Sequence, residues 1–482
     1  MKKYLYIFGI IVLGITTAYA QNSMEVLRYS QTSVGGTARS LGFGGAFGAV
    51  GADFSSLSIN PAGIGLYKKS EFSATPTLYI SQVKSNMNAY STQANKTNFN
   101  MNNYGLILVS GSGKKKEGWK YFQFGIGVNR LANFNHQYLI ENDNPTSSLM
   151  TDYQLQAYGT EPENLDPFST DLAWYHYLLE DTVRLANGAL AYTSPLADGG
   201  IYQKLSKTTW GSINELNISF GSTYSDIFYI GGSVGFPFLR YFEQSMYLEE
   251  DKADTINNFY KYIKDDYLET HGNGVNFKIG VIVRPMGWFR VGLAFHSPTW
   301  YSMNDYYYSD LTRYYDDGTH ESKKSPDGRY DYSLNTPMKL VGSATFTIAR
   351  FMLISADVEM IDYSSGRLSA YDYQFSYENE QVQTKYKAVL NYKVGAEIRM
   401  RPISFRAGLD YFSSPYADNI NSGDMMKASA GIGYRDRSIF VDLAYVYSLK
   451  REDFYLYNPD LINPANLNTY THQVALSIGY RF

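Results

Sequence analysis

The sequence of 482 residues contains no cysteine. This absence excludes disulfide bonds and every thiol-based reaction, so the fold must be stabilised by packing and hydrogen bonding. A large excess of charge is also missing, since the net charge is −4, or −6 without Lys2 and Lys3. Proteins that bind nucleic acids depend on clustered positive charge, so this balance gives no reason to expect a nucleic-acid partner.

No long apolar run follows residue 20. A transmembrane helix needs about 20 consecutive apolar residues, so a helical membrane protein is excluded. Mean hydropathy is −0.31, yet 16% of the residues are aromatic and 46 are tyrosine. A transmembrane β-barrel accounts for both values, because only alternate residues of its strands are apolar and tyrosine collects at the membrane interfaces. A secreted globular β-protein is the alternative.

The first twenty residues read MKKYLYIFGIIVLGITTAYA. Two lysines precede a continuous apolar stretch, and Ala18-Tyr19-Ala20 supplies small residues at the positions that a signal peptidase recognises. We therefore predict a signal peptide over residues 1–20 and a mature chain that begins at Gln21. An uncleaved membrane anchor is the alternative.

The chain ends in THQVALSIGYRF, which alternates strictly. One face carries large apolar residues, and the other carries small or polar ones: Val474, Leu476, Ile478, Tyr480 and Phe482 against Ala475, Ser477, Gly479 and Arg481. A barrel strand needs such an apolar face toward lipid. The final aromatic residue also looks like the C-terminal signal of bacterial outer-membrane barrels. We therefore expect the barrel-assembly machinery to be a partner that acts through Phe482.

Alternating segments recur in pairs along the chain, and long polar loops separate the pairs. Short turns join the members of each pair near 225–226, 285–287, 349–350, 401–402 and 435–437, and around SGKKKEG. Short turns on one side and long loops on the other are typical of an outer-membrane barrel. A first strand near 71–83 and the C-terminal strand bring the total to about fourteen. We therefore predict an all-β fold, with a closed antiparallel transmembrane barrel of about 14 strands over residues 71–482.

The longest connection covers residues 132–210. Within it, Leu172, Tyr175, Leu179 and Val183 have helical spacing, and the cluster Ser169/Thr170/Asp171 could cap the start of a helix. We predict an extracellular, partly helical cap. An inserted independent domain is less favoured because about eighty residues with few aliphatic side chains make a poor core.

Residues 21–70 do not alternate like the strands. The residues Phe43, Phe47, Val50, Phe54 and Leu57 are spaced by 4, 3, 4 and 3, which predicts one helical stripe. The intervening glycines weaken such a helix, so we expect it to be held inside the barrel lumen. Gly42-x-Gly44 does not indicate a dinucleotide-binding loop, because no strand precedes it and the next glycines are wrongly spaced.

Asn60-Pro61 is expected to stop this helix and form a turn, since the residue before proline avoids helical geometry and an asparagine side chain can bond the backbone beyond it. The motif Asn60-Pro61-Ala62 is weak when taken alone.

Taken together, GFGGAFGAVGADFSSLSINPAG behind a signal peptide resembles the amino-terminal hatch of the FadL family of outer-membrane long-chain fatty-acid transporters. Later segments look like that family's later strands: FRVGLAFHSP, NTPMKLVGSATFTI, FMLISADVEMIDYS, YKVGAEIRMRPISFRAGLDYFSSPY and SAGIGYRDRSIFVDLAYVYS. The resemblance covers the hatch and most of the second half of the chain. The 132–210 region matches no pattern of the family.

The resemblance implies a fourteen-stranded barrel in the outer membrane of a Gram-negative bacterium, with residues 21–70 as a hatch that plugs the lumen. Hydrophobic small molecules such as long-chain fatty acids would shift the hatch and leave into outer-membrane lipid through a lateral gap. That gap would lie beside an inward kink of the third strand, here near 119–131, and close to the turn of Asn60-Pro61-Ala62. Asn60, Pro61, Ala62 and Gly63 would then form the gate that fixes the hatch against the wall.

The candidate residues for an apolar ligand pocket are Phe43, Phe47, Phe54 and Leu57, for which core packing is the alternative role. Arg28 or Arg39 could pair with a ligand carboxylate, or could be solvated cations of the lumen. None of the six histidines belongs to a nucleophile motif. We therefore expect no enzyme activity, no metal site and no cofactor.

Three other functions remain open. A haemin-type receptor would use His or Tyr as axial ligand. A docking or structural barrel for secreted proteins would use the cap and the tyrosine-rich loops as contact surfaces. A general porin is less compatible with a hydrophobic hatch. One closed barrel needs no partner subunit, so we expect a monomer.

Deleting Phe482 should impair insertion into the outer membrane, because the assembly machinery would lose its recognition residue. The measurement is the fraction of heat-modifiable, folded barrel in outer-membrane fractions, with Phe482→Trp as the control that keeps an aromatic end. Efficient assembly of the deletion variant would contradict the terminal signal.

Overall fold

The structure is a computed structural model that describes residues 23–111, 117–186, 188–349, 351–418 and 420–482. The predicted signal peptide lies outside the described residues. One sheet contains nineteen of the strands, and a second sheet is a separate two-stranded hairpin. The strands are β1 (Glu71–Met87), β2 (Tyr90–Gly111), β3 (Trp119–Asn133), β4 (His136–Asn144), β5 (Glu180–Arg184), β6 (Leu190–Thr193), β7 (Ile201–Tyr224), β8 (Phe228–Glu250), β9 (Lys261–Met286), β10 (Phe289–His296), β11 (Trp300–Tyr314), β12 (His320–Lys324), β13 (Gly328–Asn335), β14 (Lys339–Ile348), β15 (Met352–Asp362), β16 (Arg367–Ser369), β17 (Ala388–Met400), β18 (Ile403–Phe412), β19 (Met425–Arg435), β20 (Ile439–Phe454) and β21 (Ala465–Arg481).

The sheet closes into a barrel of fourteen antiparallel strands. Three barrel strands are built from two segments each: β3 with β4, β10 with β11, and β13 with β14. Closure is made by the first and last strands, where Glu71 pairs with Arg481 and Asn86 with Asn466. The predicted fold class and strand number are confirmed. A closed sheet is required in lipid, where an open edge would leave backbone groups without partners.

The alternation of the last strand is confirmed by the exposure of its side chains. Leu476, Ile478 and Tyr480 are 37%, 50% and 52% exposed, whereas Ala475 and Ser477 are fully buried. The apolar residues therefore face outward, where lipid would cover them, and the small residues face the lumen.

The described helices are short: α1 (Ser23–Ser30), α2 (Ala38–Gly42), α3 (Ser56–Ile59), α4 (Leu149–Ala157), α5 (Thr170–Tyr175) and α6 (Ser376–Lys385), with 3₁₀ turns at Pro61–Leu66, Pro162–Asn164 and Tyr363–Ser365. Within the described part of the chain, no helix is both long and apolar enough to cross a membrane.

The predicted cap is partly helical but shorter than expected. The strands β4 and β7 extend into both ends of the 132–210 stretch, so the connection itself covers 145–200. The long helix predicted through Val183 is wrong. Helix α5 ends at Tyr175, the backbone of Tyr177 is left-handed with a φ of 52°, and the hairpin β5–β6 follows. Leu172 and Leu179 both lie in the buried core of the cap, as their helical spacing suggested, but a turn and not a continuous helix brings them together.

Glu249 fastens this cap to the barrel. Its fully buried carboxylate accepts hydrogen bonds from the Leu149 backbone N–H at 2.9 Å, from Gln203 Nε2 at 2.8 Å, and from the hydroxyls of Tyr247 and Tyr262 at 2.7 and 2.8 Å. Leu149 is the first residue of α4, where free N–H groups and the helix dipole favour a negative charge. The cap is therefore held over the end of the barrel that carries the long loops.

Candidate functional site

The N-terminal segment, residues 23–70, lies in the barrel lumen and is called the hatch. It bonds widely separated parts of the wall: Ala38 N–H donates to Ser477 Oγ on β21 at 2.7 Å, and Gly48 N–H donates to Asp357 on β15 at 2.9 Å. Ser58 Oγ donates to Glu215 on β7 at 3.2 Å. Because these strands lie on different sides of the barrel, the hatch is enclosed by the wall.

The single helix predicted from the phenylalanine spacing is wrong. Helices α2 and α3 are separated by turns in which Gly44, Gly45 and Gly51 have φ values of 66°, 64° and 64°, a conformation that interrupts a right-handed helix. A Cβ on Gly44 would also lie 2.7 Å from Asp410 Oδ1. Glycine is needed here because the hatch backbone lies directly against the wall.

The part of the wall that contacts this glycine-rich turn carries a row of alternating charges. Asp357, Lys393, Asp410 and Lys427 are direct cross-strand partners on β15, β17, β18 and β19. Opposite charges on facing positions of neighbouring strands stabilise a sheet. The hatch therefore meets a polar wall on this side of the lumen.

The four predicted pocket residues are divided between two buried clusters. Phe43 and Phe47 make an edge-to-face contact with ring centroids 5.4 Å apart, and they pack with Val50, Ile59 and Leu353. Phe54 and Leu57 pack with Ile64, Tyr67 and Ile107. All four are at most 1% exposed, and none of them lines the lumen cavity. In this state they are core residues of the hatch, and their role in binding ligand stays a prediction.

Asn60 forms the predicted turn. Its backbone is extended, its Oδ1 accepts from Ala62 N–H at 3.1 Å, and its Nδ2 donates to the Gly48 carbonyl at 2.7 Å. The turn of Asn60, Pro61, Ala62 and Gly63 is buried and packs on β8 and β9. Added side chains on Gly231 and Gly280 of those strands would collide with Pro61 O and Asn60 Oδ1. The turn therefore lies on the fifth and sixth barrel strands.

Arg39 anchors the hatch through a buried ion pair. Its Nε lies 3.1 Å from Glu397 Oε2 on β17, and Glu397 also contacts Arg406 and Arg399 at 2.6 Å each. Arg28 lies 3.8 Å from Glu243, with its guanidinium 4.3 Å from the centroid of the Tyr241 ring. Both arginines already have carboxylate partners, so neither is a solvated cation.

Burial raises the pKa of Glu25 in α1 well above its usual range, and the nearby Asp305 raises it further. A raised pKa favours the neutral carboxyl, which accepts a hydrogen bond from the Tyr332 hydroxyl at 3.3 Å.

The third barrel strand leaves the wall at residues 130–136. Pairing between β2 and β3 ends at Asn103 and Asn129, and β4 pairs only with β7. The ladder between β3 and β7 shifts register between Arg130 and Ala132. Beyond the shift, His136 Nδ1 lies 2.7 Å from Ser81 Oγ on β1, so β4 crosses the inner face of the first hairpin. The inward kink that the family resemblance implied is therefore present.

The kink leaves an interruption in the wall, here called the window. Its lower end, nearer the short turns, is the last pair of the β2–β3 ladder. Its upper end, nearer the long loops, is marked by Lys96 of β2, whose Nζ donates to the Thr209 carbonyl of β7 at 2.9 Å. Between them, residues 97–101 of β2 pair with β1 alone, and Asn102 lies at the register shift between Thr75 and Pro76. Six residues of strand correspond to about 20 Å. Phe99 and Met101 in this stretch are 70% and 36% exposed, so the outer rim is apolar.

Residues 31–36 of the hatch, here called the strap, close the lower end of the window. Ser33 N–H donates to Leu131 O at 2.8 Å, and Gly35 N–H donates to Arg130 O at 2.7 Å. The Gly35 carbonyl accepts from Asn102 Nδ2 at 3.3 Å. A Cβ on Gly35 would lie 3.1 Å from Asn102 Cγ and 3.2 Å from Arg130 O. Gly35 is therefore wedged between the two strands where they part.

A cavity of about 480 Å³ lies in the lumen beside the strap, α1 and the kinked strand. Its lining combines aromatic rings, such as Tyr29, Phe134 and Tyr301, with eight Lys or Arg and five Asp or Glu residues. Cations therefore outnumber anions. Among the described residues, no group of three or more histidines and carboxylates is placed to hold a metal ion.

The family model described as outer membrane protein transport protein (OMPP1/FadL/TodX) matches residues 215–481. The chain belongs to this family. It is therefore an outer-membrane β-barrel of a Gram-negative bacterium, and it belongs to a family of transporters of hydrophobic compounds. No curated protein matches the chain in sequence.

Solved structures share the fold over nearly the whole chain. A FadL homologue of Pseudomonas aeruginosa matches with a TM-score of 0.56 and 13% identity, covering 93% of this chain and 99% of its own. The toluene transporter TodX of Pseudomonas putida gives 0.51 and 11%, covering 89% and 94%. The toluene transporter TbuX of Ralstonia pickettii gives 0.50 and 13%, covering 92% and 98%. At these identities the likeness is one of fold.

Sequence reasoning missed the strap and two lysines of the wall that contact it, Lys339 with Thr32 Oγ1 at 2.6 Å and Lys427 with Ser33 Oγ at 3.0 Å. The strap residues carry no periodic pattern, and inward-facing lysines look like any other polar residue on the inner face of a barrel strand. The sequence did contain two features that could have pointed to the strap: the consecutive glycines Gly35 and Gly36, and the polar residues at the end of the third strand.

Replacing Arg39 by Met should loosen the hatch, because the hatch loses its charged hydrogen bond to Glu397, and a hydrogen bond to a charged group contributes about 1.5–3 kcal/mol. Glu397 would keep Arg406 and Arg399, so the wall should stay intact. We expect a severalfold higher ion conductance in planar bilayers, and no change for Lys69→Met, which removes an exposed charge at the end of the hatch. Wild-type conductance of Arg39→Met would show that this pair does not hold the hatch.

Proposed function

We propose that the protein takes up long-chain amphiphiles of the fatty-acid type and releases them sideways into the outer membrane. The observation that carries the proposal is the window, which lies beside the lumen cavity and has an apolar outer rim. An apolar chain gains about 0.8 kcal/mol for each CH₂ removed from water. A route from the cavity through the wall into lipid spares the chain the rehydration that an aqueous pore would impose.

The excess of Lys and Arg in the cavity lining favours a ligand with an anionic head group. Two of the solved relatives are described as toluene transporters. Toluene carries no charge, and a cavity for it has no need of cations. A long-chain carboxylate would use both properties of this lumen, the cations for its head group and the aromatic rings for its chain.

The hatch must move for such a ligand to pass, because the strap occupies the lower end of the window. In this proposal the turn of Asn60, Pro61, Ala62 and Gly63 fixes the hatch on β8 and β9 while the strap is released. Phe43, Phe47, Phe54 and Leu57 would contact the chain of the ligand only after the hatch has shifted. The function thus requires a fixed part and a moving part in one short segment.

A docking role for secreted proteins is a second candidate. It is favoured by the exposed tyrosines of the cap, where Tyr158, Tyr175 and Tyr177 are 50%, 51% and 64% exposed. A haemin-type receptor is favoured by His136, which lines the cavity between Tyr79 and Tyr138. Co-purification of a secreted protein or of haemin, in place of a lipid, would favour these alternatives.

A photoreactive long-chain fatty acid tests the route. In a Gram-negative host that lacks its own fatty-acid transporter, the protein should restore uptake, and the label should attach near the cavity and near residues 97–102. Excess unlabelled fatty acid is the control and should abolish labelling. Uptake with labels confined to the end of the lumen near the short turns would contradict lateral release, and a complete absence of uptake would contradict the function.

Replacing Asn60 by Ala should lower uptake severalfold without preventing assembly. The change removes the bonds to Ala62 N–H and the Gly48 carbonyl, each worth about 1 kcal/mol. Uptake and heat-modifiable folding would be measured together. Asn466→Ala, which changes an exposed asparagine on the last strand, is the matched control. Normal uptake by the Asn60 variant would remove the gate role of the turn.

A further inference from the structure

We propose that Lys339 and Lys427 form a latch on the strap that opens for anionic ligands. In the closed state both lysines hold the strap through hydroxyl groups. A ligand carboxylate takes over these lysines, the strap loses its hold, and Gly35 leaves the window. This inference rests on the proposed uptake function and adds to it the residues that select acids over neutral lipids.

The two lysines contact consecutive residues of the strap from different strands. Lys339 on β14 donates from Nζ to Thr32 Oγ1 at 2.6 Å, with the Thr32 carbonyl at 3.4 Å. Lys427 on β19 donates from Nζ to Ser33 Oγ at 3.0 Å. Both lysines line the cavity, as do Thr32 and Ser33. A ligand in the cavity therefore meets the ammonium groups at the point where they hold the strap.

These two lysines differ from the other lysines around them. Lys207, Lys278 and Lys393 form ion pairs with Glu243, Glu215 and Glu359, at 2.5, 2.6 and 3.6 Å. Among the described carboxylates, none forms an ion pair with Lys339 or Lys427.

Asp410 is the cross-strand partner of Lys427 but lies beyond ion-pair distance, and its Oδ1 has no hydrogen-bond partner among the described residues. The two ammonium groups thus bond neutral oxygens in a half-buried site. A lysine–hydroxyl bond carries charge on the donor alone, whereas a carboxylate adds the attraction between opposite charges, so a carboxylate is a better partner than a hydroxyl.

The strap connects this exchange to the window. Thr32 and Ser33 are within three residues of Gly35, the wedge between Asn102 and Arg130. Once the lysines are engaged elsewhere, the strap is held near the window by two backbone hydrogen bonds, to Leu131 O and Arg130 O, and by the Asn102 amide. Each such bond contributes about 1 kcal/mol net, so the remaining hold is weak. A neutral hydrocarbon makes no such exchange and leaves the latch closed.

Binding of palmitate and of hexadecan-1-ol to the purified full-length barrel tests the selection, since the two differ only in the head group. Wild type should bind palmitate more tightly than the alcohol. The double variant Lys339→Met/Lys427→Met should lose about tenfold or more in palmitate affinity, the effect of losing one charged hydrogen bond. Its affinity for the alcohol should be unchanged, which also reports that the barrel is folded.

Two further variants complete the binding test. Lys339→Arg/Lys427→Arg keeps the charges and should retain most of the preference for palmitate. Lys204→Met removes an ion-paired lysine of β7 outside the cavity, 3.4 Å from Glu141, and should change neither affinity. Equal palmitate affinity in wild type and the Met double variant would overturn the latch.

A reversible cross-link tests the movement of the strap. The variant Gly35→Cys/Asn102→Cys places two thiols where the strap meets β2, in a chain with no other cysteine. When oxidised it should still bind palmitate but take up little, and reduction should restore uptake. Either single variant under the same oxidation is the control.

Wild-type uptake by the oxidised pair would overturn the latch while leaving the uptake function intact. If wild type takes up both lipids equally and the lysine changes have no effect, the latch is again overturned and the function stands. If wild type takes up neither lipid, the proposed function fails.

Discussion

The backbone of the third strand at Arg130 and Leu131 is the constraint on which the rest of the lumen depends. A barrel in lipid satisfies its backbone polar groups within the sheet, and a backbone group freed at a break in the wall must face protein or a water-filled lumen. At the kink, β2 no longer supplies hydrogen-bond donors to β3. The hatch supplies them instead, because the N–H groups of Ser33 and Gly35 donate to the carbonyls of Leu131 and Arg130. The interruption in the wall is thus met by peptide backbone of the hatch. The strap and the window are parts of one solution to the same hydrogen-bonding requirement.

The strength of each attachment decides which part of the hatch can move. Arg39 is paired with Glu397 inside a buried cluster of charges, and the Asn60 turn packs against glycines of β8 and β9. Breaking these attachments costs more free energy than breaking an exposed contact. The strap has only neutral partners for two lysines and a few backbone bonds. In the proposed mechanism, the hatch therefore has an anchored part and a releasable part, and the barrel itself does not change.

The barrel was predictable because every second residue of a membrane-spanning strand faces lipid, and this two-residue period does not depend on the loops. The hairpin turns and the closing strand follow from it, as the exposure of Leu476 and Ile478 illustrates. The hatch was harder to predict, since phenylalanines at helical spacing also arise when glycines with positive φ fold a chain back on itself, as Gly44 and Gly45 do. The contacts of Lys339 and Lys427 depend on which strands the hatch faces in three dimensions, and no local pattern encodes that.

A charged lumen is compatible with the transport of hydrophobic molecules once the two ends of an amphiphile are considered separately. The alternating charges of Asp357, Lys393 and Asp410 stabilise the wall that faces the hatch, so these charges do not require a polar solute. The head group needs only the lysines that lack a carboxylate partner, and the chain needs only an apolar rim such as Phe99 at the window. In the proposed route the chain would enter lipid while the head group is still held, so neither end would be fully exposed to water. The same geometry would give a neutral hydrocarbon no interaction with which to displace the strap, so in this barrel selectivity and opening would depend on the same two ammonium groups.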